Sequence, residues 1–518
     1  MKKYYLLLFA FNCCLTVHAQ SNSEKKLHLR LTVAEGVLQG VTDSSGVSSF
    51  KGIPFAQPPI GNLRWREPQP PKRWSGIRVA DHFGPQPMQR KIYDDMYSRS
   101  DGKSEDCLYL NVWTPATSAK EKLPVLVYFY GGGFIAGDGS EYRYDGAALA
   151  RKGILTVTIN YRLGIFGLLA LPELAKESSH HCTGNYSLMD QHAALAWVKT
   201  NISAFGGDPE KITIGGESAG AMSVCAQMAS PLSKGLFVGA IAESGSMLGN
   251  LSPVPLREAE NVGLKFKVAA HAESLTELRK IPAAQLLELS ASTHFPLTVD
   301  GYFLPETPQS IFATGRQMDV PLLAGWNSAE VDYHSLLGTD KPKIKNYTDT
   351  INKLYGSRAN EVLKLYPVAA DSAVKQVATD LAADRFIAYA TWKFIDLHSK
   401  TDGHFVYRYL FARKRPQVDG QFSTYGASHA SEIEYALGNL KFNKNYDWTP
   451  DDFNVSATMQ NYFANFIKTG NPNGQGQATW FGLQSSIPKV MVLDADSHSA
   501  AEIHRKRYVL LDSFFNPN

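Results

Sequence analysis

Residues Lys211 to Ala229 read KITIGGESAGAMSVCAQMA. Lys211 to Ile214 has the β-branched character of a short strand, and Ala219 to Met228 has the spacing of a helix. Between them Gly216-Glu217-Ser218-Ala219-Gly220 fits G-x-S-x-G. The pentapeptide alone is a weak signal. A strand leading in and a helix leading out make it specific, because that placement sets a serine on a sharp, strained turn with its hydroxyl exposed. The glycines let strand and helix crowd the serine without Cβ clashes. The helix N-terminus behind Ser218 favours negative charge that develops beside it. The stretch predicts a nucleophilic serine at position 218.

Further out, apolar runs of strand length recur. They are Leu123 to Tyr130 (LPVLVYFY), Ile154 to Ile159 (ILTVTI), Val320 to Ala324 (VPLLA) and His404 to Leu410 (HFVYRYL). Such near-continuous apolar strands are buried on both faces, as in a parallel sheet covered by helices. Helical spacing appears over Asp190 to Phe205 and Thr458 to Lys468, and residues 251–318 look helical and amphipathic. The pattern is that of an α/β layer fold. The Pro- and Gly-rich region from Gly36 to Trp113 reads as an N-terminal antiparallel extension with loops. No repeat or low-complexity linker interrupts the chain, so residues 20–518 are expected to form one domain.

Three glycines, Gly131-Gly132-Gly133, follow the LPVLVYFY run. Bare backbone there can bring N–H groups up to a substrate. Gly132, Gly133 and Ala219 are the expected donors to an oxyanion.

The first residues describe a different object. Lys2 and Lys3 precede an apolar run from Tyr4 to Leu15 broken only by Asn12, and Val17-His18-Ala19 suits a cut after Ala19. Residues 1–19 therefore read as a secretory signal peptide, which implies a secreted or periplasmic protein. Of 52 basic and 49 acidic residues, Lys2 and Lys3 would leave with it, so the mature chain is nearly neutral. That balance offers no broad attraction for nucleic acid or an anionic membrane. No later segment is apolar for long enough to span a bilayer, so no stable membrane anchor is expected. Cys107, Cys182 and Cys225 would remain, too few for a disulfide scaffold. The oligomeric state stays open.

Several motifs in order carry a family resemblance: FKGIPFAQPPIGNLRW (50–65), SEDCLYLNVWTP (104–115), the triple glycine, INYRLGIFG (159–167), GNYSLMDQHAALAWVKTNISAFGGDPEKITIGGESAG (184–220) and FIKTGNPNG (466–474). The chain resembles the type-B carboxylesterases, the lineage of cholinesterases, bile-salt lipases and bacterial para-nitrobenzyl esterases. The resemblance implies the α/β-hydrolase fold and a triad in the order serine, acid, histidine. It places the acid at Glu330, in GWNSAE after the VPLLA strand, with Asp332 as competitor and Asp300 as a structural aspartate. It places the base at His429, in GASHASEIEYALGN, a loop before a helix. It further implies a buried Arg64–Glu105 ion pair. Relatives often carry a cysteine where this chain has Pro87, so Cys107 is expected to be a free, buried thiol. Cys225 is expected to be packed and Cys182, in SSHHCTGN, accessible. No tryptophan lies between Gln86 and Ser104, which argues against choline esters. Tyr130 stands before the triple glycine, where many esterases have histidine.

The expected chemistry is hydrolysis of small-molecule carboxylic esters through an acyl-enzyme, with no metal or organic cofactor. Esters that decorate plant polymers, feruloyl or acetyl, are an alternative substrate class. A non-catalytic binding relative is the alternative outside enzymes, though such relatives lose triad members that are all present here. His180-His181-Cys182 reads as a loop, since adjacent ligands rarely converge on one ion. His404 is expected to be structural, within a strand. Arg413-Lys414-Arg415 and Arg505-Lys506-Arg507 read as solvated strand ends.

Overall fold

A computed structural model describes residues 29–401, 403–416, 425–484 and 488–515. The expected signal peptide, residues 1–19, lies outside them. Among the described residues, eleven strands pair into one mixed sheet. In chain order they are β1 (Val41–Thr42), β2 (Ser48–Pro54), β3 (Tyr109–Thr114), β4 (Leu123–Phe129), β5 (Leu155–Ile159), β6 (Gly207–Glu217), β7 (Gly239–Glu243), β8 (Leu322–Asn327), β9 (Val406–Phe411), β10 (Lys489–Leu493) and β11 (His498–Ala501). Across the sheet the order is β1-β2-β3-β5-β4-β6-β7-β8-β9-β10-β11. The run from β5 to β10 is parallel, and the flanks pair antiparallel. The antiparallel flank β1–β3 is the expected N-terminal extension. A small separate sheet, Arg30–Val33, Gly36–Gln39 and Ile77–Val79, stands beside it.

The central strands explain themselves by composition. In β4 and β6, Val125 pairs with Ile212 and Val127 with Ile214, all fully buried. Side chains on both faces are apolar because helices cover both faces. Helix α1 (Tyr186–Asn201) packs on α2 (Ala219–Ala229), and α2 packs on β4, β6 and β7. Helices α3 (Ile433–Leu437), α4 (Pro450–Thr469) and α5 (Arg505–Phe515) follow. Helix α4 begins well before the expected Thr458, because Thr449 and Asp452 form a capping box with Pro450 at the first helical position.

Some local expectations fail. Strand β9 starts at Val406, so His404 lies outside it and is exposed. The basic runs fit the expectation of solvated strand ends only in part: Arg413-Lys414-Arg415 follows the end of β9 with Lys414 exposed, whereas Arg505-Lys506-Arg507 opens a helix with Arg505 and Lys506 exposed. Arg413 pairs with buried Asp452, Arg415 with buried Glu434, and Arg505 opens α5 and pairs with Asp396. The expected Arg64–Glu105 pair does form. Arg64 Nε donates to Glu105 Oε1 at 2.6 Å, and its Nη1 reaches the carbonyls of Arg279 and Ile281. Among the described residues no helix is long and apolar enough to cross a membrane.

The parallel strands matter most for what leaves their C-terminal ends. The triple glycine follows β4, Ser218 follows β6, Glu330 follows β8, and the chain after β9 leads to His429. In open α/β sheets this edge is where ligands bind.

Candidate active site

Ser218 takes φ 57° and ψ −120°, a strained conformation for a residue with a Cβ. Its neighbours make the turn feasible. A Cβ on Gly220 would sit 2.1 Å from the Phe129 carbonyl oxygen, and one on Gly216 would sit 2.6 Å from the Gly220 carbonyl carbon. Only glycine lets β6, α2 and β4 approach this closely. The Ser218 N–H donates to the Glu243 carbonyl of β7 at 2.8 Å, which ties the turn to the next strand.

Three of the expected residues meet here. His429 Nε2 lies 2.8 Å from Ser218 Oγ, and His429 Nδ1 lies 2.7 Å from Glu330 Oε2. The other oxygen of Glu330 accepts the Asn327 N–H at 2.7 Å, so both carboxylate oxygens are held. The His429 N–H donates to the Glu330 carbonyl, joining the two loops by backbone as well. The competing acids stand elsewhere. Asp332 is partly exposed and bonds His334 Nδ1, while Asp300 accepts from Asn185 and from the Tyr302 and Leu304 N–H groups.

The triple glycine closes the other side. Gly132 and Gly133 take φ 108° and 63°, and the Gly132 carbonyl accepts from Ile135 and Ala136. The N–H groups of Gly132, Gly133 and Ala219 have no hydrogen-bond partner among the described residues. All three residues line the same cavity as Ser218 and His429. Its volume is about 740 Å³, and its apolar wall includes Phe134, Phe295, Phe386, Leu251 and Leu297. A pocket of this size suits an organic ligand of drug-like bulk.

Sequence reasoning missed the charges beneath the serine. Glu217, inside the G-x-S-x-G itself, is buried with its Oε1 3.2 Å from His429 Nε2. Glu243 and Glu432 are buried with it. Tyr128 donates to Glu243, while Ser244 and Asn327 donate to Glu432. Burial pushes the Glu217 carboxyl up to about 8 and holds Glu243 well above the usual range. Burial opposes charge on His429 too, yet the carboxylates of Glu217, Glu330 and Glu432 outweigh it and raise the imidazole. Glu217 and Glu432 both stand within motifs quoted above; what the linear sequence lacks is any sign that they turn inward.

Of the cysteines, Cys107 and Cys225 are buried free thiols. Cys182 corrects the expectation of an accessible thiol. It is fully buried, within reach of Ser178 and Glu67, and burial pushes it up to about 12. Neighbouring His180 stacks on Tyr302 and bonds Glu67.

A serine hydroxyl bonded to an imidazole that is bonded to a carboxylate, beside unpartnered N–H groups, can transfer acyl groups. The family comparisons agree. The model of the carboxylesterase family matches residues 23–510. A fumonisin B1 esterase from Sphingopyxis macrogoltabida is 36% identical over 434 residues, covering 78% of this chain and 74% of its own. The para-nitrobenzyl esterase of Bacillus subtilis is 33% identical over 490 residues, covering 90% and 95%. A solved carboxylesterase of Geobacillus stearothermophilus superposes with a TM-score of 0.81 at 32% identity, covering 92% of this chain and 99% of its own. With its α/β-hydrolase fold and this match along nearly the whole chain, the protein belongs to the carboxylesterase family and is a carboxylic ester hydrolase.

Proposed function

We propose that the protein is an exported serine esterase that works through Ser218, His429 and Glu330. His429 Nε2 takes the hydroxyl proton as Ser218 Oγ attacks the ester carbonyl. Glu330 holds the ring with Nδ1–H toward it and stabilises the imidazolium. The oxyanion rests on the N–H groups of Gly132, Gly133 and Ala219. His429 then hands its proton to the leaving alcohol, the acyl group stays on Ser218, and a water deprotonated by His429 releases the acid.

The observation that carries this reading is the continuous hydrogen-bonded line from Ser218 Oγ through both ring nitrogens to Glu330, opening into the cavity. The cavity's largely apolar walls suit neutral, bulky esters. A fluorophosphonate probe tests the assignment. Labelling of Ser218, with loss of both label and ester hydrolysis in Ser218→Ala, is the expected result. A Ser218→Ala variant that hydrolyses p-nitrophenyl esters at the wild-type rate would refute it. Methyl ferulate compared with p-nitrophenyl esters of rising chain length separates the plant-polymer alternative from a general esterase.

A further inference from the structure

A second cavity, of about 430 Å³, shares no lining residue with the catalytic one. Its floor is one face of α1, where Met189, His192, Ala193, Ala196 and Trp197 recur at helical spacing. The opposite side of α1 is spent on the core, so this face would ordinarily meet solvent. Instead the proline-rich strap Glu67 to Pro71 passes over it, with Phe55, Tyr302 and Phe303 closing the rest. Three prolines fix the strap's backbone with little entropy left to lose, so the cavity does not need the ligand to shape it.

The lining has a charge sign. Glu35 contributes a carboxylate, the Glu67 carboxylate turns instead to Ser178, His180 and Cys182, and no lysine or arginine lines the cavity. Glu35 Oε2 accepts the Trp197 indole N–H at 3.1 Å, which holds the indole in place beside a carboxylate. Asn201 lines the cavity, is almost fully buried, and its Nδ2 has no partner among the described residues. His192 Nδ1 meets Ser233 Oγ at 3.0 Å, and that hydroxyl donates onward to Gln227. His192 must therefore donate from Nδ1, leaving Nε2 as an acceptor. Burial lowers this histidine, so it stays neutral at neutral pH and does not repel a cation. The Glu35 carboxylate, an imidazole acceptor and aromatic faces together favour a cation that also carries an aromatic body over an anion.

The same histidine begins a buried line of polar contacts. Ser233 reaches Gln227, Gln227 Nε2 reaches Gln191 Oε1, Gln191 Nε2 reaches Ser223 Oγ, and Ser223 Oγ donates to the Ala219 carbonyl at 2.8 Å. Ala219 is the residue whose N–H faces the catalytic cavity.

We propose that this cavity is a second binding site, for a small arylalkyl ammonium ion, and that its occupancy is transmitted to the nucleophile turn through Gln227, Gln191 and Ser223. The transmission half rests on the role given above to Ala219; the binding half does not. Tryptamine, tryptophol and indole-3-acetate are matched probes that differ in charge. Isothermal titration of the full protein should show tryptamine binding about tenfold more tightly than tryptophol, with no measurable binding of indole-3-acetate. Glu35→Gln keeps the acceptor for Trp197 and removes the charge, so tryptamine should weaken about tenfold. Ala193→Trp fills the cavity and should abolish binding while ester hydrolysis without probe is retained. Saturating tryptamine should change kcat for p-nitrophenyl acetate without changing KM, and Gln227→Leu should remove that change while leaving tryptamine affinity intact. Unchanged affinity in Ala193→Trp, or indole-3-acetate binding as well as tryptamine, would overturn the site. An unchanged kcat at saturation would overturn the transmission, whatever the state of the triad assignment.

Discussion

Glu217 lies 3.2 Å from His429 on the same ring nitrogen that meets the serine hydroxyl. A carboxyl group so placed decides when that nitrogen is free to accept a proton. Where Glu217 is ionised it favours the imidazolium, and protonating it removes part of that pull.

The first prediction concerns pH. His429 is raised, so kcat/KM for ester hydrolysis should fall on the acid side at a pH above the ordinary histidine range. Glu217→Gln removes a negative charge without changing the shape. The imidazole becomes easier to deprotonate, and the acid limb should move to lower pH by about one unit. A limb that stays put, or moves upward, would show that Glu217 does not act on His429.

The second prediction separates the two acids. Glu330→Gln leaves His429 Nδ1 facing a neutral amide and should lower kcat by about two orders of magnitude or more. Asp332→Asn touches only the His334 contact and should leave kcat near wild type. If Asp332→Asn proved the more damaging, the acid would be misassigned.

The third prediction is about stability. Arg64 and Glu105 are nearly buried together, and the arginine also satisfies two backbone carbonyls. Arg64→Met would strand the carboxylate and two acceptors, at about 3–5 kcal/mol. Urea unfolding monitored by circular dichroism reads this directly. A loss below about 1 kcal/mol would mean the pair behaves like a surface ion pair.

The fourth prediction is a thiol count. Cys107, Cys182 and Cys225 are all buried and free, and burial raises each of them. Ellman titration of the folded mature protein should find no rapidly reacting thiol, and three should appear in denaturant without reductant. A single fast thiol in the folded state would return Cys182 to the surface.

The parts legible in the sequence were those set by local rules. KITIGGESAG announced its strand and turn because glycine and β-branched residues have few other uses in that order, and LPVLVYFY announced a buried strand by composition. The serine could be placed from its flanks, whereas the acid and the base needed motif resemblance, since nothing within GWNSAE or GASHASE states that the two loops converge. The burial of Cys182 is hidden from the sequence for a related reason. Its neighbours in SSHHCTGN are polar, but their side chains spread outward or onto Glu67 while the thiol turns into the core. The buried carboxyls Glu217, Glu243 and Glu432 defeat composition altogether, because charge in a sequence reads as surface until a fold supplies donors for it.

The serine and its imidazole are 211 residues apart, on chain segments that leave different strands of one sheet. A ribosome adding ~5–20 residues each second needs about 10–40 s to cover that interval. Throughout it the nascent chain already carries Ser218 but not yet His429, the imidazole its hydroxyl meets in the folded protein. Across the sheet β7, β8 and β9 lie in order beside β6, so the segment that carries His429 leaves a strand three places from the one that carries Ser218. The proposed triad is therefore assembled only once the chain has been made through residue 429, and any shorter nascent chain that reaches the serine holds it without its imidazole.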